Sequence, residues 1–495
     1  MMKIFFPVRR ALLVTVCSLC AALPAVWTQA QEARMEAAFG RFLRKEAMRG
    51  ASVSFMAREV RSGDVVYGYD AERRLTPASV VKTVTAAAAL ELLGGDFRFA
   101  TAIRHDGHVR DGVLHGNLFI CGSGDPTAGS SRTGAPRDSI PALWAEAVER
   151  AGIRRIDGRV IADESIFDTE GVSMKWLRED LGSGYGQGSY GVNLFDNMFR
   201  LYLSTGAEGA TPSIVRCDPP VPALTFHNYL MSRRAATDSF YIAGAPYDER
   251  YLYGAVRAGL HRLEMEGDIP DPPLFAARYF CDLLKRRGVE IAGEPSCHRL
   301  LTEAGAWPEG ERRTLVTTYS PALREIVRIT NFFSCNMYAD ALVKTLGLRY
   351  RPGAGEAVSS FERGTRVVAA HWAAKGLDTG LLTLHDGSGL AAANRATAAF
   401  LCDMYVYMAG RSEAFAPFLE SLPGAGVDGT VRTFLKGTAL EGSRLKSGGM
   451  SGVRCYGGYI DRGGRRYAVA LLVNHFTGSD AVVRAAIEEL FLSLF

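Results

Sequence analysis

The sequence predicts a multidomain α+β protein, in which one sheet built from both ends of the chain, with helices beside it, carries a large mixed α/β and β-rich insertion. Three observations lead there. The chain has 495 residues, more than one ordinary core encloses. A hairpin near the start and three strands at the end flank a set of helices, so one sheet drawn from both ends of the chain is the economical arrangement. Between Phe97 and about Leu300 the texture changes to short alternating runs separated by tight turns.

The elements follow in order. Glu32 to Met48 is charged and amphipathic and predicts a helix. Ala51 to Arg58 alternates as a strand does, Ser62-Gly63-Asp64 turns, and Val65 to Tyr69 returns as its hairpin partner. Leu75 to Gly94 predicts the next helix. Pro77 restricts the chain before the turn, Ser79 suits the cap or first turn, alanines and leucines favour helix, and Gly94-Gly95 stops it. Inside the insertion, Asp106-Gly107 and Asp111-Gly112 mark turns, Gly122 to Thr127 is a loop, and Arg155 to Asp163 is a turn and strand. Ile140 to Gly152 and Phe275 to Gly288 read as helices there.

From Thr314 the helical texture returns. Ala322 to Leu346 holds two apolar-periodic segments that break at Asn331 to Asn336, and Phe361 to Gly376 and Arg395 to Gly410 are further helices. Strands at Ser443–Ser447, Val453–Ile460 and Arg465–Val473 follow, with a turn at Asp461 to Gly464. The last amphipathic helix, Ala481 to Leu494, carries little charge and directly follows a strand, so it is expected to pack on the sheet rather than lie on a membrane.

Composition sets the class. Hydrophobic residues make up 47% and charged residues 22%, as in soluble globular proteins. Lys3, Arg9 and Arg10 are the charged residues of positions 1–30; without them the net charge of +4 falls to +1, which is not a nucleic-acid-binding balance. Those first thirty residues read as a secretory signal, with an apolar stretch from Ala11 to Leu23 and small residues around Ala30 for cleavage. No later stretch is long and apolar enough to cross a membrane, so no firm membrane anchor is expected. Removal of Cys17 and Cys20 with the signal leaves seven of nine cysteines, an odd and scattered set unlike a disulfide framework. Cys281 and Cys297 are placed to pair across a short loop, which spacing alone does not decide.

Three short motifs carry chemistry. Ser79 and Lys82 lie three apart and share a helix face, so a lysine of lowered pKa would stand beside a hydroxyl that needs a base. The pattern alone is weak, because Ser443-Arg-Leu-Lys446 repeats it. Ser334-Cys335-Asn336 adds a hydroxyl and an amide at the break between helices, and Lys446-Ser447-Gly448 adds a charge and a hydroxyl on a strand. The ordered set Ser-x-x-Lys, Ser-x-Asn, Lys-(Ser/Thr)-Gly resembles that of penicillin-binding proteins and serine β-lactamases. The gaps of 255 residues from Ser79 to Ser334 and 112 from Ser334 to Lys446 resemble class C low-molecular-mass penicillin-binding proteins, the D-alanyl-D-alanine carboxypeptidase/endopeptidase family. Leu118 to Thr127, Asn193 to Asn197, Asn336 to Asp340 and Asp386 to Leu390 look like that family as well. Ser447 stands where Thr is commoner, and Cys335 where Asp is usual.

The resemblance implies a β-lactamase/transpeptidase-like catalytic domain, an antiparallel sheet with helices on both sides, at about 31–105 and 305–495, interrupted by an inserted region at about 106–304 that is itself possibly two nested domains. It implies that Ser79 attacks the carbonyl of the penultimate D-Ala of a peptidoglycan stem and that Lys82 takes its proton. Ser334 and Lys446 pass a proton to the leaving amine, and Asn336 holds the substrate amide or Lys82. The N–H groups of Ser79 and Gly449 form the oxyanion hole, and Lys446, Ser447 and Gly448 take the terminal carboxylate. Trp176-Leu-Arg-Glu-Asp180, ahead of Tyr185, resembles the segment that reads the free amino group of the stem, which makes Asp180 a candidate; a solvated surface acid is the alternative. Met450 is placed on the same side of the pocket.

No cofactor and no metal are implied; β-lactams are expected to acylate Ser79, and the leader implies secretion across the inner membrane to the periplasm. A β-lactamase or esterase, and a penicillin-binding sensor or wall-binding protein that does not turn over, are the rival readings. The large insertion argues against the first and the full polar set against the second. His105, His108 and His115 read as exposed strand histidines, Gly122-x-Gly124 as a turn, and Cys297-His298 as no dyad.

Overall fold

Strands from both ends of the chain meet in one sheet. The computed structural model describes residues 23–222, 224–234, 237–244, 248–353 and 356–495, with side chains from residue 33. The leader read from the sequence lies mostly outside these residues. The sheet runs in the order Arg444–Met450, Val453–Arg462, Arg465–Asn474, Ser52–Glu59, Val65–Tyr69, antiparallel throughout.

Its side chains alternate between two cores, as a sheet covered on both faces requires. Ala468, Ala470 and Leu472 face a core with the helices Val81–Leu93, Leu323–Phe333, Asn336–Gly347, Ser360–Ala374 and Ala398–Arg411. Val469, Leu471 and Val473 face the opposite core, covered by Leu23–Leu43 and Asp480–Leu494. The last helix packs Val483, Ile487, Leu490 and Leu494 onto the sheet, at the spacing of one helix face. Among the described residues no helix is long and apolar enough to cross a membrane.

The helix Val81–Leu93 is buried on every side over Val81 to Leu90, which makes it the hub of the first core. A short 3₁₀ turn, Ala78–Val80, leads into it, and Ser79 sits in that turn rather than as a cap, with no side-chain capping bond. Ala78 adopts a left-handed φ of 46°, and its carbonyl is covered by Gly389, where a Cβ would come within 2.0 Å.

The middle of the chain has its own core, built on the helices Ser139–Arg150 and Pro272–Arg286. Two three-stranded sheets, one four-stranded sheet and one five-stranded sheet frame it. The five-stranded sheet includes Ala100–His105 and Arg313–Tyr319, which pair with each other. His105 is buried at 6% exposure, its Nδ1 within 2.9 Å of the Asp106 carbonyl, so it is not the exposed strand histidine expected. The seven described cysteines are free, Cys281 and Cys297 included.

Candidate active site

Three segments converge on Ser79. The Lys82 ammonium lies one helical turn on, fully buried, with Nζ 3.0 Å from Ser79 Oγ, 2.6 Å from Asn336 Oδ1 and 2.6 Å from the Ser388 carbonyl. The Asn336 amide is held in orientation because its Nδ2 donates to the Tyr185 carbonyl at 2.8 Å, which turns Oδ1 to Lys82. Ser334 occupies the break between helices with a left-handed φ of 58°, and this kink presents its hydroxyl to Lys446 Nζ at 2.9 Å. Lys446 also donates to the Ser447 carbonyl at 2.6 Å. The repeat at Ser443 lies just before the strand Arg444–Met450 that carries Lys446, not one helical turn from that lysine, which removes it as a rival.

Gly448 lets the strand Arg444–Met450 close on the Ser79 turn: a Cβ there would stand 2.8 Å from the Pro77 carbonyl and 3.0 Å from the Ser79 nitrogen. The Leu445 N–H leaves the strand pair to bond the Pro423 carbonyl at 3.1 Å. Alternation along an antiparallel strand turns the N–H groups of Ser447 and Gly449 the same way, off the free edge of the sheet. Met450 is half-buried at the hairpin end, opposite Val453.

Burial dominates the electrostatics. It lowers Lys82 to about 8, against the opposing pull of the Asp340 and Asp386 carboxylates. It pushes Lys446 well below the ordinary lysine range, and the Lys82 charge adds to that. Asp340 is pushed up by burial and then by Asp386. Cys335 stays a thiol, raised to about 11 by burial. Asp180 is 8% exposed, not a solvated surface acid; its carboxylate accepts from the Leu177 N–H and from Tyr185, and burial raises it. It meets the cleft through Tyr185.

Sequence reasoning missed four groups. The Ser388 carbonyl sits in Asp386-Gly-Ser-Gly-Leu390, a stretch noted without a role. Thr430 Oγ1 accepts from the Ser447 hydroxyl at 3.0 Å. Thr430→Val removes that partner and is expected to raise KM for a D-Ala-terminated peptide roughly fivefold, at little change in kcat, by steady-state kinetics. The other two are Asp386 and Trp176. Asp386, fully buried, accepts from Gly389 N (2.8 Å), Asn394 Nδ2 (2.8 Å), Ala391 N (2.6 Å) and Trp176 Nε1 (2.9 Å). Asp386→Ala strips all four donors and is expected to lower the unfolding free energy by about 3 kcal/mol in urea denaturation. No local pattern links residues 176 and 386, so only a residue-pair contact signal would have found this bond.

The sequence profile of the D-Ala-D-Ala carboxypeptidase 3 (S13) family matches residues 35–491. The chain belongs to that family. It is therefore a serine-type D-Ala-D-Ala carboxypeptidase by class. A relative named D-alanyl-D-alanine carboxypeptidase, from Actinomadura sp. (strain R39), is 28% identical over 456 residues, covering 88% of this chain and 80% of that one. Penicillin-binding protein 4 (dacB) from Haemophilus influenzae superposes with a TM-score of 0.76 at 22% identity, over 90% of this chain and 96% of that one. The same protein complexed with a β-lactam superposes with a TM-score of 0.72 at 22% identity, over 90% and 95%. The multidomain α+β fold of penicillin-binding protein 4, with several sheets, is the fold of this chain.

Proposed function

We propose that this S13 peptidase hydrolyses D-Ala-D-Ala termini, and D-Ala cross-links, of peptidoglycan through an acyl-enzyme on Ser79, and that β-lactams acylate the same oxygen. The set of bonds around Lys82 Nζ carries the reading. A neutral amine has two N–H bonds and one lone pair. Two of the three groups around Nζ, Asn336 Oδ1 and the Ser388 carbonyl, can only accept. They take the two N–H bonds, and the lone pair is left facing the third group, the Ser79 hydroxyl, which alone can donate.

Lys82 then takes the Ser79 proton as Oγ attacks the carbonyl of the penultimate D-Ala. The N–H groups of Ser79 and Gly449 receive the oxyanion. Ser334, bonded to Lys446, relays a proton to the leaving amine, and water later releases the acyl group. Ser447, Gly448 and the Lys446 charge receive the terminal carboxylate at the free strand edge. Asp180 and Met450 line the approach for the stem side chain, the carboxylate through its bond to Tyr185. The catalytic unit is residues about 31–105 and about 305–495, with the paired strands Ala100–His105 and Arg313–Tyr319 at the seam to the inserted region. Secretion to the periplasm is inferred from the basic and apolar run at Lys3 to Leu23 and agrees with a peptidoglycan substrate.

The test is peptide mapping by mass spectrometry after incubation of the mature protein with benzylpenicillin, beside D-Ala release from a soluble pentapeptide. One stable adduct on the peptide that contains Ser79, with D-Ala release, is the expected result. An adduct that hydrolyses within seconds identifies a β-lactamase, a stable adduct without D-Ala release identifies a sensor, and no adduct on folded protein overturns the reading.

A further inference from the structure

One sheet of the insertion has two unlike faces. Its strands Thr225–Arg233, Glu249–Arg257 and Ser239–Gly244 turn Leu230, Leu252, Val256 and Ile242 into the core. The residues between them point outward, and the register sets rings in rows, with His227 opposite Tyr251 and both Tyr229 and Tyr241 opposite Tyr253. His227 stacks on Tyr251 at 4.6 Å, Tyr229 on Tyr253 at 5.3 Å, and Tyr241 lies 5.5 Å from Tyr253. The outer rings stay open, Tyr229 at 58% and Tyr241 at 57% exposure. A patch of this kind on a soluble protein marks a binding surface.

The patch lies beside a segment that also reaches the cleft. Tyr251 and Tyr253 share an open groove of about 720 Å³ with Leu177, Arg178 and Glu179. That segment is tied to the sheet by the Gly244 N–H on the Leu181 carbonyl, 2.9 Å. Its Asp180 bonds Tyr185, whose carbonyl orients Asn336 beside Lys82.

We propose that this tyrosine face binds the glycan strand of peptidoglycan from which the scissile stem hangs. The inference rests on the D-Ala-D-Ala reading of the Ser79 site. A pyranose ring presents C–H bonds on its faces and hydroxyls on its rim, and each tyrosine offers a ring surface and a hydroxyl in return. A stem of about four residues spans about 14 Å when extended. A peptide held in the cleft therefore keeps its own sugar chain near the protein surface, and the segment from Leu177 to Tyr185 runs from the groove beside the rings to Asn336 in the cleft.

The probe is peptide-free glycan strands, prepared from sacculi with an amidase, with binding to the full mature protein measured by calorimetry. Wild type is expected to bind. The double variant Tyr229→Ala/Tyr241→Ala is expected to bind at least about tenfold more weakly, two rings being lost. Its penicillin acylation and its D-Ala release from a soluble pentapeptide stay at the wild-type level, which shows that it folds, while D-Ala release from intact sacculi falls. No binding by wild type, or equal binding by the variant, overturns the proposal. A wild-type dimer that the variant abolishes, without glycan binding, overturns it in favour of self-association. Pentapeptide cleavage separates the two readings. Cleavage without glycan binding defeats the glycan proposal alone, and no cleavage by folded wild type defeats the Ser79 reading and this one with it.

Discussion

Ser79→Ala is expected to leave no covalent penicillin adduct and to lower kcat/KM for D-Ala release by at least about 10⁴-fold. The variant removes one oxygen and nothing that holds the fold. Ser79 does not cap its helix, and the Lys82 amine keeps its two acceptors at Asn336 and Ser388. Unfolding free energy should therefore stay close to wild type, and the variant should still bind a D-Ala-terminated peptide without cleaving it. Retained acylation, read by intact mass, would move the nucleophile elsewhere, with the Ser334 hydroxyl beside Lys446 as the next group to map.

Lys82→Ala is expected to cost about 10³-fold in the rate of penicillin acylation. Lys82→Arg should do no better, since a guanidinium holds its proton. The pH dependence gives the sign. Lys82 must be neutral to accept the Ser79 proton, and burial lowers it to about 8. Below that pH the neutral fraction falls about tenfold per unit, so wild-type acylation rises with pH up to about 8 and levels above it. Lys446, pushed well below the ordinary range by burial and by Lys82, shares the cleft, so the profile belongs to the two lysines together. Stopped-flow acylation between pH 5 and 10 is the measurement. A flat profile, or an unchanged one in Lys82→Ala, would assign the base to another group.

Much of the scaffold was legible because its signals are local. The hairpin at Ser52 to Tyr69 and the strands after Arg444 alternate with period two, and their assembly into one sheet followed from needing a partner for each face. The break at Ser334 was visible as two periodic segments that do not share a phase, and the left-handed residue sits there. The positions of Lys82, Asn336 and Lys446 around the two serines are what their element types allow. What escaped has no local signal. The Ser388 carbonyl is a backbone group with no letter of its own, Thr430 lies in a three-residue turn, and Trp176 meets Asp386 across 210 residues of chain. His105 misled because its strand neighbours are polar, while the sheet that buries it takes a strand from residue 313 onward.

The inserted region bonds residues around the cleft through Tyr185 on Asn336, Trp176 on Asp386, Asp196 on the Tyr338 hydroxyl, and Glu170 and Ser189 on Lys344. Lys344 is fully buried, lowered to about 8 by burial, and donates to those two carbonyls, each at 2.8 Å, with the Phe167 and Phe361 rings beside its ammonium. Excision of residues 106–304 would take the two carbonyls from Lys344 and the Tyr185 acceptor from Asn336 Nδ2, and would remove one of the four donors to the Asp386 carboxylate. The two halves are thus a keystone and its arch: residues around the cleft lose partners when the insertion is cut away, and a chain without it would have to close these positions with different residues.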